Sequence, residues 1–336
     1  MKRTNIGING FGRIGRTLFR LLSEQPHIKV MAINDLADSR TLSHLLKYDS
    51  LHGVYKGEIS HTDSGIVVDE REIALLNHPS PKDIDWSAHK IDIVIECTGK
   101  FKTAAALNHH IRNGAKKVIL SAPPSDDAIK MVVLGINESI ITRDDHIISN
   151  ASCTTNNAAP MIKVIKDLCG IEQAYITTIH SYTSDQSLHD QPHHDLRRAR
   201  AASQSIIPTT TGAAKALTNI FPELANAIGG CGIRVPVPNG SLTDITFNVK
   251  RETSIQEIND TFEYISKNEL KNILHYTKDP IVSIDINNSC YSCTFDSQMT
   301  SSIGKMVKII GWYDNETGYS SRIIDLINLL INNLYV

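Results

Sequence analysis

The amino-acid sequence predicts an α/β domain followed by an α+β domain, and three observations predict it. The chain has 336 residues, 41% of them hydrophobic, enough to bury two cores of roughly 150 residues each. Its first 150 residues alternate short Val/Ile-rich runs with helical patterns, the mark of parallel βαβ units. After Ser149 the runs instead alternate apolar and polar positions, as half-buried antiparallel strands do.

In order, NIGIN, KVMAIN, DIVIEC, KVILSA and HIIS read as strands of the first domain. Their continuous apolar character suits a parallel sheet covered on both faces. Between the first two, Arg13 to Ser23 places Ile14, Leu18, Leu21 and Leu22 at helical spacing. In the second half a helix follows Cys153 and ends at Gly170, with Pro160 inside it, where it must cost a hydrogen bond or a kink. AYITTIHSY, TDITFNVK, DPIVSID and KMVKIIGWYDN are expected strands, and VSIDINNSC and CTFDSQ read as neighbouring ones. The polar stretch Ser181–Ser205 has no period, and an aperiodic loop of about that length in a compact domain is usually functional or disordered. The last residues return to helical spacing through Ile323, Ile324, Ile327, Leu330 and Ile331.

Charge narrows the partners. Lys and Arg number 34 against 36 Asp and Glu, so no field gathers nucleic acid or anionic membrane. Glycines at 7, 10, 12 and 15 interrupt any signal-peptide core of about 7–15 apolar residues. No apolar run approaches the ~20 residues of a membrane span. The expectation is a cytoplasmic protein with reduced thiols. Of six cysteines, Cys290 and Cys293 form a CxxC without a second pair, which reads as two ordinary semi-buried thiols. The pairs His109–His110 and His193–His194 lack a third ligand, so no metal site is expected.

Chemistry-bearing residues gather in a few places. Gly10-Phe-Gly12-Arg13-Ile14-Gly15 gives GxGxxG after a strand and at the head of a helix. Gly10 permits the tight turn, Gly12 admits a pyrophosphate to the backbone, Gly15 lets helix and strand close, and the helix N-terminus holds the anion. A second strand ends at Asp35, 20 residues after Gly15, where a carboxylate meets the adenosine ribose. It opposes a 2′-phosphate, which favours NAD over NADP. Cys153, flanked by Ser152 and Thr154, opens a helix whose free N–H groups favour a thiolate. His180 closes the strand AYITTIH and is the candidate base. At this level a nucleophile and a small turn residue both remain open readings of Cys153. Thr209–Gly212 precedes a helical pattern and can cradle a phosphate. Arg197, Arg198, Arg200 and Arg234 are candidate anion partners among which charge alone does not choose.

Together, NGFGRIGR, ASCTTN, HSYTSDQ, DLRRARAA, TTTGAAKA, RVPVPN and WYDNETGYS run in order from Asn5 to about Leu326. The chain thereby resembles the phosphorylating glyceraldehyde-3-phosphate dehydrogenase family. The resemblance implies a Rossmann NAD-binding domain over residues 1–152, an α+β catalytic domain with a largely antiparallel sheet over 153–315, and a helix over 316–336 returning to the first. It also implies a homotetramer in which the polar loop borders a neighbour's cofactor. Cys153 would be the nucleophile and His180 the base. Thr183 and Arg234 would hold the substrate phosphate, and Ser152, Thr154, Thr211 and Gly212 the inorganic phosphate, with Arg198 serving both. Arg13, Ile14, Asp35, Thr98, Ser121 and Asn315 match cofactor positions, and Tyr319 would lie by the nicotinamide. The implied reaction oxidises D-glyceraldehyde 3-phosphate with NAD and inorganic phosphate to 1,3-bisphosphoglycerate.

Three departures stand out. Asn157 occupies a position where many members carry a second cysteine, LLNHPSP lacks an Arg often found near the adenine, and Gln191 precedes Pro192. Two rivals remain. The related erythrose-4-phosphate dehydrogenase is usually altered at TTTGAAKA and NETGY, and a catalytically silent binding protein on the same fold would not need Cys153, His180 and Arg234 together.

Overall fold

A computed structural model describes residues 3–335, which divide into two compact units. The first comprises residues up to Val132, Glu138–Ala151 and the chain from Ser320; the second comprises Val133–Asn137 and Ser152–Tyr319.

The strands of the first unit are β1 (Thr4–Asn9), β2 (Ile28–Asn34), β5 (Ile59–His61), β6 (Gly65–Val68), β7 (Arg71–Leu76), β8 (Ile93–Glu96), β9 (Lys117–Leu120), β10 (Lys130–Met131) and β11 (Ile147–Ser149). They form one nine-stranded sheet in the order β10-β11-β9-β8-β1-β2-β7-β6-β5. A two-residue ribbon, β3 (Tyr48–Asp49) with β4 (Gly53–Val54), stands apart. From β10 to β7 the pairing is parallel, whereas β5, β6 and β7 pair antiparallel. The five predicted runs are thus parallel strands of this sheet, and β10, β7 and the antiparallel edge are additions.

Helices α1 (Arg13–Ser23), α2 (Ser39–Lys47) and α3 (Ala104–Arg112) belong to this unit. Leu18, Phe19 and Leu22 are at most 1% exposed on the inner face of α1. A second cluster joins Trp86, Ile91, Val94, Leu107, Val118 and Leu120. Each such side chain stabilises the fold by about 1.5–3 kcal/mol relative to exposure. The chain runs from β1 to β2 on one side and later to β8 on the other. The carboxyl end of β1 is therefore the topological switch point, the place where open α/β sheets take ligands.

The second unit holds α4 (Cys153–Cys169), β12 (Ile171–Ser181), β13 (Ile207–Thr209), α5 (Ala213–Ile220), β14 (Ile228–Val235), β15 (Ser241–Val249), α6 (Ile255–Lys267), β16 (Leu274–Thr277), β17 (Cys293–Asp296), β18 (Ser301–Ile303) and β19 (Met306–Tyr313). Its main sheet runs β13-β14-β12-β15-β19-β17-β16, with β18 on β19. It is mostly antiparallel, with two parallel pairs, β12–β14 and β16–β17. Helix α4 packs on β12, β15, β17 and β19. Along β15, alternate residues from Ser241 to Val249 are buried, as the TDITFNVK pattern requires.

One expected strand is absent. DPIVSID does not pair, and Ser283–Ile286 forms a 3₁₀ turn instead. The Asp285 carboxylate accepts the Val282 N–H at 2.8 Å, while Val282 and Ile284 stay 56% and 65% exposed. Local side-chain capping outcompetes the sheet ladder here. VSIDINNSC accordingly is no strand, whereas CTFD is β17.

Helix α7 (Thr317–Tyr335) leaves the second unit at Ser320 and continues in the first. There Asn328 Oδ1 lies 2.8 Å from His27 Nε2.

Candidate active site

In the first unit, Gly10 adopts φ +92°, in the left-handed region that favours glycine. A Cβ there would lie 2.7 Å from the Thr98 nitrogen. At Gly15 a Cβ would collide with the Gly10 carbonyl, whereas at Gly12 it would meet nothing within 4 Å. The three glycines thus make a tight turn, an open approach and a close helix–strand contact. Helix α1 begins after Gly12 without a side-chain cap and with no acid in its first turn. Its leading N–H groups, Arg13 and Ile14 among them, are suited to an anion. Asp35 accepts the Phe11 N–H at 2.7 Å on one oxygen and the Ala37 N–H at 3.1 Å on the other, which fixes it beside the turn. These features fit a dinucleotide.

The structure refines three of the cofactor positions. The Arg13 guanidinium is engaged by Asp49, at 2.6 and 3.1 Å. Hydrogen bonds from Arg13 and from the His52 and Leu51 N–H groups overcome burial and hold the Asp49 carboxyl down at about 2. The Arg13 main chain is then the part left to meet a phosphate. Thr98 bonds the Glu96 carboxylate through its N–H at 2.8 Å and through its hydroxyl. Ser121 Oγ donates to the Glu96 carbonyl at 2.8 Å.

In the second unit, Cys153 is the first residue of α4. Ser152 is the N-cap, its Oγ accepting the Thr155 N–H at 3.1 Å, and the helix runs unbroken through Pro160. Two residues before Cys153, Ala151 has φ +53°, a strained conformation for a residue with a Cβ. The Cys153 Sγ lies 3.5 Å from His180 Nε2. His180 Nδ1 is 2.7 Å from the Ser181 carbonyl and donates to it, so Nε2 presents its lone pair to the thiol.

Arg234 stands directly beside this pair. Residues 180 and 234 are register partners on the parallel strands β12 and β14. Arg234 Nη1 donates to the Ser181 carbonyl at 2.9 Å and to Thr183 Oγ1 at 3.4 Å. Burial pushes the His180 imidazole down to about 3, and the Arg234 and Arg198 charges add to it. Burial pushes the Cys153 thiol up, opposed by the Arg234 charge and by hydrogen bonds at Thr154. His180 Nε2 thus faces the Cys153 thiol as an acceptor nitrogen, in position to take the thiol proton.

Arg198 lies at the start of the threonine run, donating to Thr209 Oγ1 at 3.0 Å and to the Thr210 carbonyl at 3.3 Å while pairing with Asp185 at 2.7 Å. Thr211 Oγ1 accepts the Ala213 N–H at 3.2 Å, and Gly212 caps α5 with open space at its missing Cβ. Asn315 Oδ1 accepts the Ser181 and Ser241 hydroxyls at 2.9 and 3.0 Å. Tyr319 is 5% exposed.

Three participants were not singled out by the sequence. Tyr313 OH lies 2.9 Å from Thr154 Oγ1 and 3.1 Å from Thr178 Oγ1, and its ring meets the His180 ring edge-on at 5.9 Å. Its signal was its place at the end of the KIIGWY strand. The Ser181 carbonyl is main chain and leaves no trace in sequence, and Ser241 has no motif. Asn157 is buried, its Nδ2 donating to the Trp312 and Ser292 carbonyls at 3.2 and 3.4 Å. Among the described residues no His, Cys, Asp and Glu group could hold a metal.

A parallel sheet with a glycine turn at its switch point, joined in one chain to a unit carrying a thiol–imidazole pair, defines the class of nicotinamide-dependent oxidoreductases. Residues 4–104 match the family described as glyceraldehyde 3-phosphate dehydrogenase, NAD binding domain, and residues 152–315 match its C-terminal domain. The chain is 52% identical over 332 residues to glyceraldehyde-3-phosphate dehydrogenase 2 of Streptomyces avermitilis, covering 98% of this chain and 99% of the relative. It is 49% identical over 334 residues to the Borreliella burgdorferi enzyme, with 97% and 99% covered. To that of Geobacillus stearothermophilus it is 48% identical over 323 residues, with 96% of each covered. The chain belongs to the glyceraldehyde-3-phosphate dehydrogenase family.

Proposed function

We propose that this chain oxidises D-glyceraldehyde 3-phosphate with NAD and inorganic phosphate to 1,3-bisphosphoglycerate, using Cys153 as nucleophile. The observation that carries the reading is the 3.5 Å approach of Cys153 Sγ to an acceptor His180 Nε2 beside Arg234.

His180 Nε2 takes the thiol proton as Sγ adds to the aldehyde carbon, giving a hemithioacetal on Cys153. When bound, NAD supplies the two-electron oxidation by accepting the hydride from that carbon. His180 delivers that proton to the former aldehyde oxygen to complete the hemithioacetal, takes it back from the hydroxyl as the hydride leaves, and a thioester remains on Cys153. A phosphate oxygen attacks the thioester carbonyl, the C–S bond breaks, and the thiolate leaves. Arg234 and Thr183 hold the substrate's phosphate. Ser152, Thr154, Thr211 and Gly212 receive the inorganic phosphate, and Arg198 reaches both. Gly10, Gly12, Gly15, the Arg13 and Ile14 main chain, Asp35, Thr98 and Ser121 hold the dinucleotide, with Asn315 and Tyr319 serving the nicotinamide.

A homotetramer, a cytoplasmic location and a division near residue 152, with α7 returning to the cofactor domain, complete the proposal. Leu188, Leu196 and Ile206, on and beside the polar loop, are 66%, 82% and 71% exposed, and Tyr175 on β12 is 54% exposed; apolar surface of this kind supports subunit contacts. All six cysteines are free, in keeping with a reducing compartment. Among the described residues no helix is long and apolar enough to cross a membrane.

NADH formation from glyceraldehyde 3-phosphate and from erythrose 4-phosphate, each with and without inorganic phosphate, tests the reading. Strict dependence on phosphate with the three-carbon substrate is expected. Strong phosphate-free turnover, or preference for the four-carbon aldehyde, would transfer the chain to the rival activity. No turnover of either would leave the silent binding protein.

A further inference from the structure

Beneath the glycine turn lies a buried polar relay that none of the expected site residues explains. Glu96 ends β8 and is 0% exposed. Its Oε2 accepts Asn9 Nδ2 at 2.5 Å and His110 Nε2 at 3.2 Å. Its Oε1 accepts both the N–H and the hydroxyl of Thr98. His110, also 0% exposed, accepts the indole N–H of Trp86 on Nδ1 at 2.9 Å. That donor leaves the ring proton on Nε2, pointed at Glu96, so the imidazole is held in one tautomer. On the other side, Asn9 Oδ1 accepts Asn34 Nδ2 at 2.7 Å, and Asn34 Oδ1 accepts the His78 N–H at 2.9 Å.

The relay therefore runs Trp86–His110–Glu96–Asn9–Asn34 across the carboxyl ends of β8, β1 and β2, under the switch point. A buried carboxylate is tolerated only when its oxygens are fully engaged, and here four donors converge on it. Two of them are the main chain and side chain of Thr98, whose nitrogen abuts Gly10 so closely that a Cβ at Gly10 would lie 2.7 Å away. Gly99 follows at φ +69° with open space at its missing Cβ.

We propose that Glu96 is a positioning residue for the dinucleotide: locked by His110 and Trp86, its carboxylate clamps Thr98 against the Gly10 turn and sets the main-chain floor on which the cofactor lies. The proposal rests on the reading that this unit binds NAD. Glu96 acts through Thr98 and Asn9. It holds no part of the thiol chemistry.

The test uses the full-length protein and two variants. Glu96→Gln keeps the volume but turns an amide N–H toward one of the incoming donors. Trp86→Phe removes the distal donor that fixes the imidazole and leaves a small void in the core around it, so a thermal-melting control accompanies it. The readouts are NAD dissociation by calorimetry, the KM for NAD set against kcat at saturating NAD, and the rate of Cys153 alkylation by iodoacetamide in cofactor-free protein. Glu96→Gln should weaken NAD binding about 10- to 100-fold, and Trp86→Phe several-fold, with kcat at saturation and the alkylation rate within about twofold of wild type. Wild-type NAD affinity in either folded variant overturns the proposal. So does a loss of alkylation rate parallel to the loss of affinity, which marks a general structural defect. Should Glu96→Gln not fold, Trp86→Phe alone decides by the same measures. Failure of the wild-type protein to bind NAD is a different result and overturns the cofactor reading itself.

Discussion

The guanidinium of Arg234 approaches the imidazole of His180 to 3.1 Å, Nη1 to Nδ1, because residues 180 and 234 are partners on parallel strands. Both nitrogens reach the Ser181 carbonyl. A neutral carbonyl thus orients the base where other nucleophile–base pairs use a carboxylate, and a fixed positive charge opposes protonation. The arrangement keeps an acceptor nitrogen facing Cys153, and it places the guanidinium proposed to hold the substrate phosphate within reach of the base.

Removing the guanidinium should therefore act on the imidazole as well as on substrate binding. Arg234→Gln is expected to raise the His180 pKa from its depressed position, because a like charge is lost. It should also raise the KM for glyceraldehyde 3-phosphate at least about tenfold, as loss of a charged hydrogen bond does. The pH dependence of Cys153 alkylation, compared with wild type, reads the first effect; an unchanged profile would show that the charge does not govern the base.

The nucleophile and base should each be indispensable to rate while leaving the fold intact. Cys153→Ser should lower kcat by at least about 10³-fold. His180→Asn should lower it by about 10²–10⁴-fold. Steady-state kinetics with circular dichroism controls measure both, and near-wild-type turnover by Cys153→Ser would end the covalent mechanism.

Stability should carry the His180 signature. The folded imidazole is depressed to about 3, while the unfolded chain titrates near 6.5. The unfolded state thus binds the extra proton first, and stability is full above about pH 6.5 and lost as pH falls toward 3. Between pH 7 and 4 wild type should lose about 2–3 kcal/mol more than His180→Asn, as denaturant midpoints at several pH values would show.

Asp49 gives a lower acid window. Its carboxyl is held at about 2 against an unfolded value near 3.9. Its contribution is present above about pH 4 and disappears as pH falls through 2. Asp49→Asn is expected to cost about 1–2 kcal/mol at pH 7, with the difference vanishing near pH 2. Urea titrations of both proteins across that range measure it.

Asp35 should decide the cofactor. Its carboxylate is fixed by the Phe11 and Ala37 N–H groups, and in the proposed cofactor site it would repel a 2′-phosphate and accept from a ribose hydroxyl. Asp35→Ala should lower the preference for NAD over NADP by about tenfold or more. The ratio of kcat/KM for the two cofactors reports it, and an unaltered ratio would place the discrimination elsewhere.

Much of the fold was legible because its signals are local. The helix that starts at Cys153 is announced by the Ser152 cap and closed by Gly170, and the five apolar runs of the first unit all became parallel strands of its sheet. DPIVSID was misread because its apolar residues look like a strand, while the Asp285 cap that defeats pairing acts through one side chain. The antiparallel edge formed by β5, β6 and β7 went unread, since short exposed strands carry weak periodicity.

By itself the sequence determined the glycine turn, the carboxylate at Asp35, the thiol at a helix start and a histidine at a strand end, because each depends on residues within a turn or a strand of one another. Only the tertiary structure decided that His180 and Arg234 lie side by side, since that follows from one parallel pairing in a mostly antiparallel sheet. It likewise decided that Glu96 gathers Asn9, Thr98 and His110 into one buried relay. Strand order and register arise from long-range packing, and no spacing along the chain encodes which side chains that packing will bring into contact.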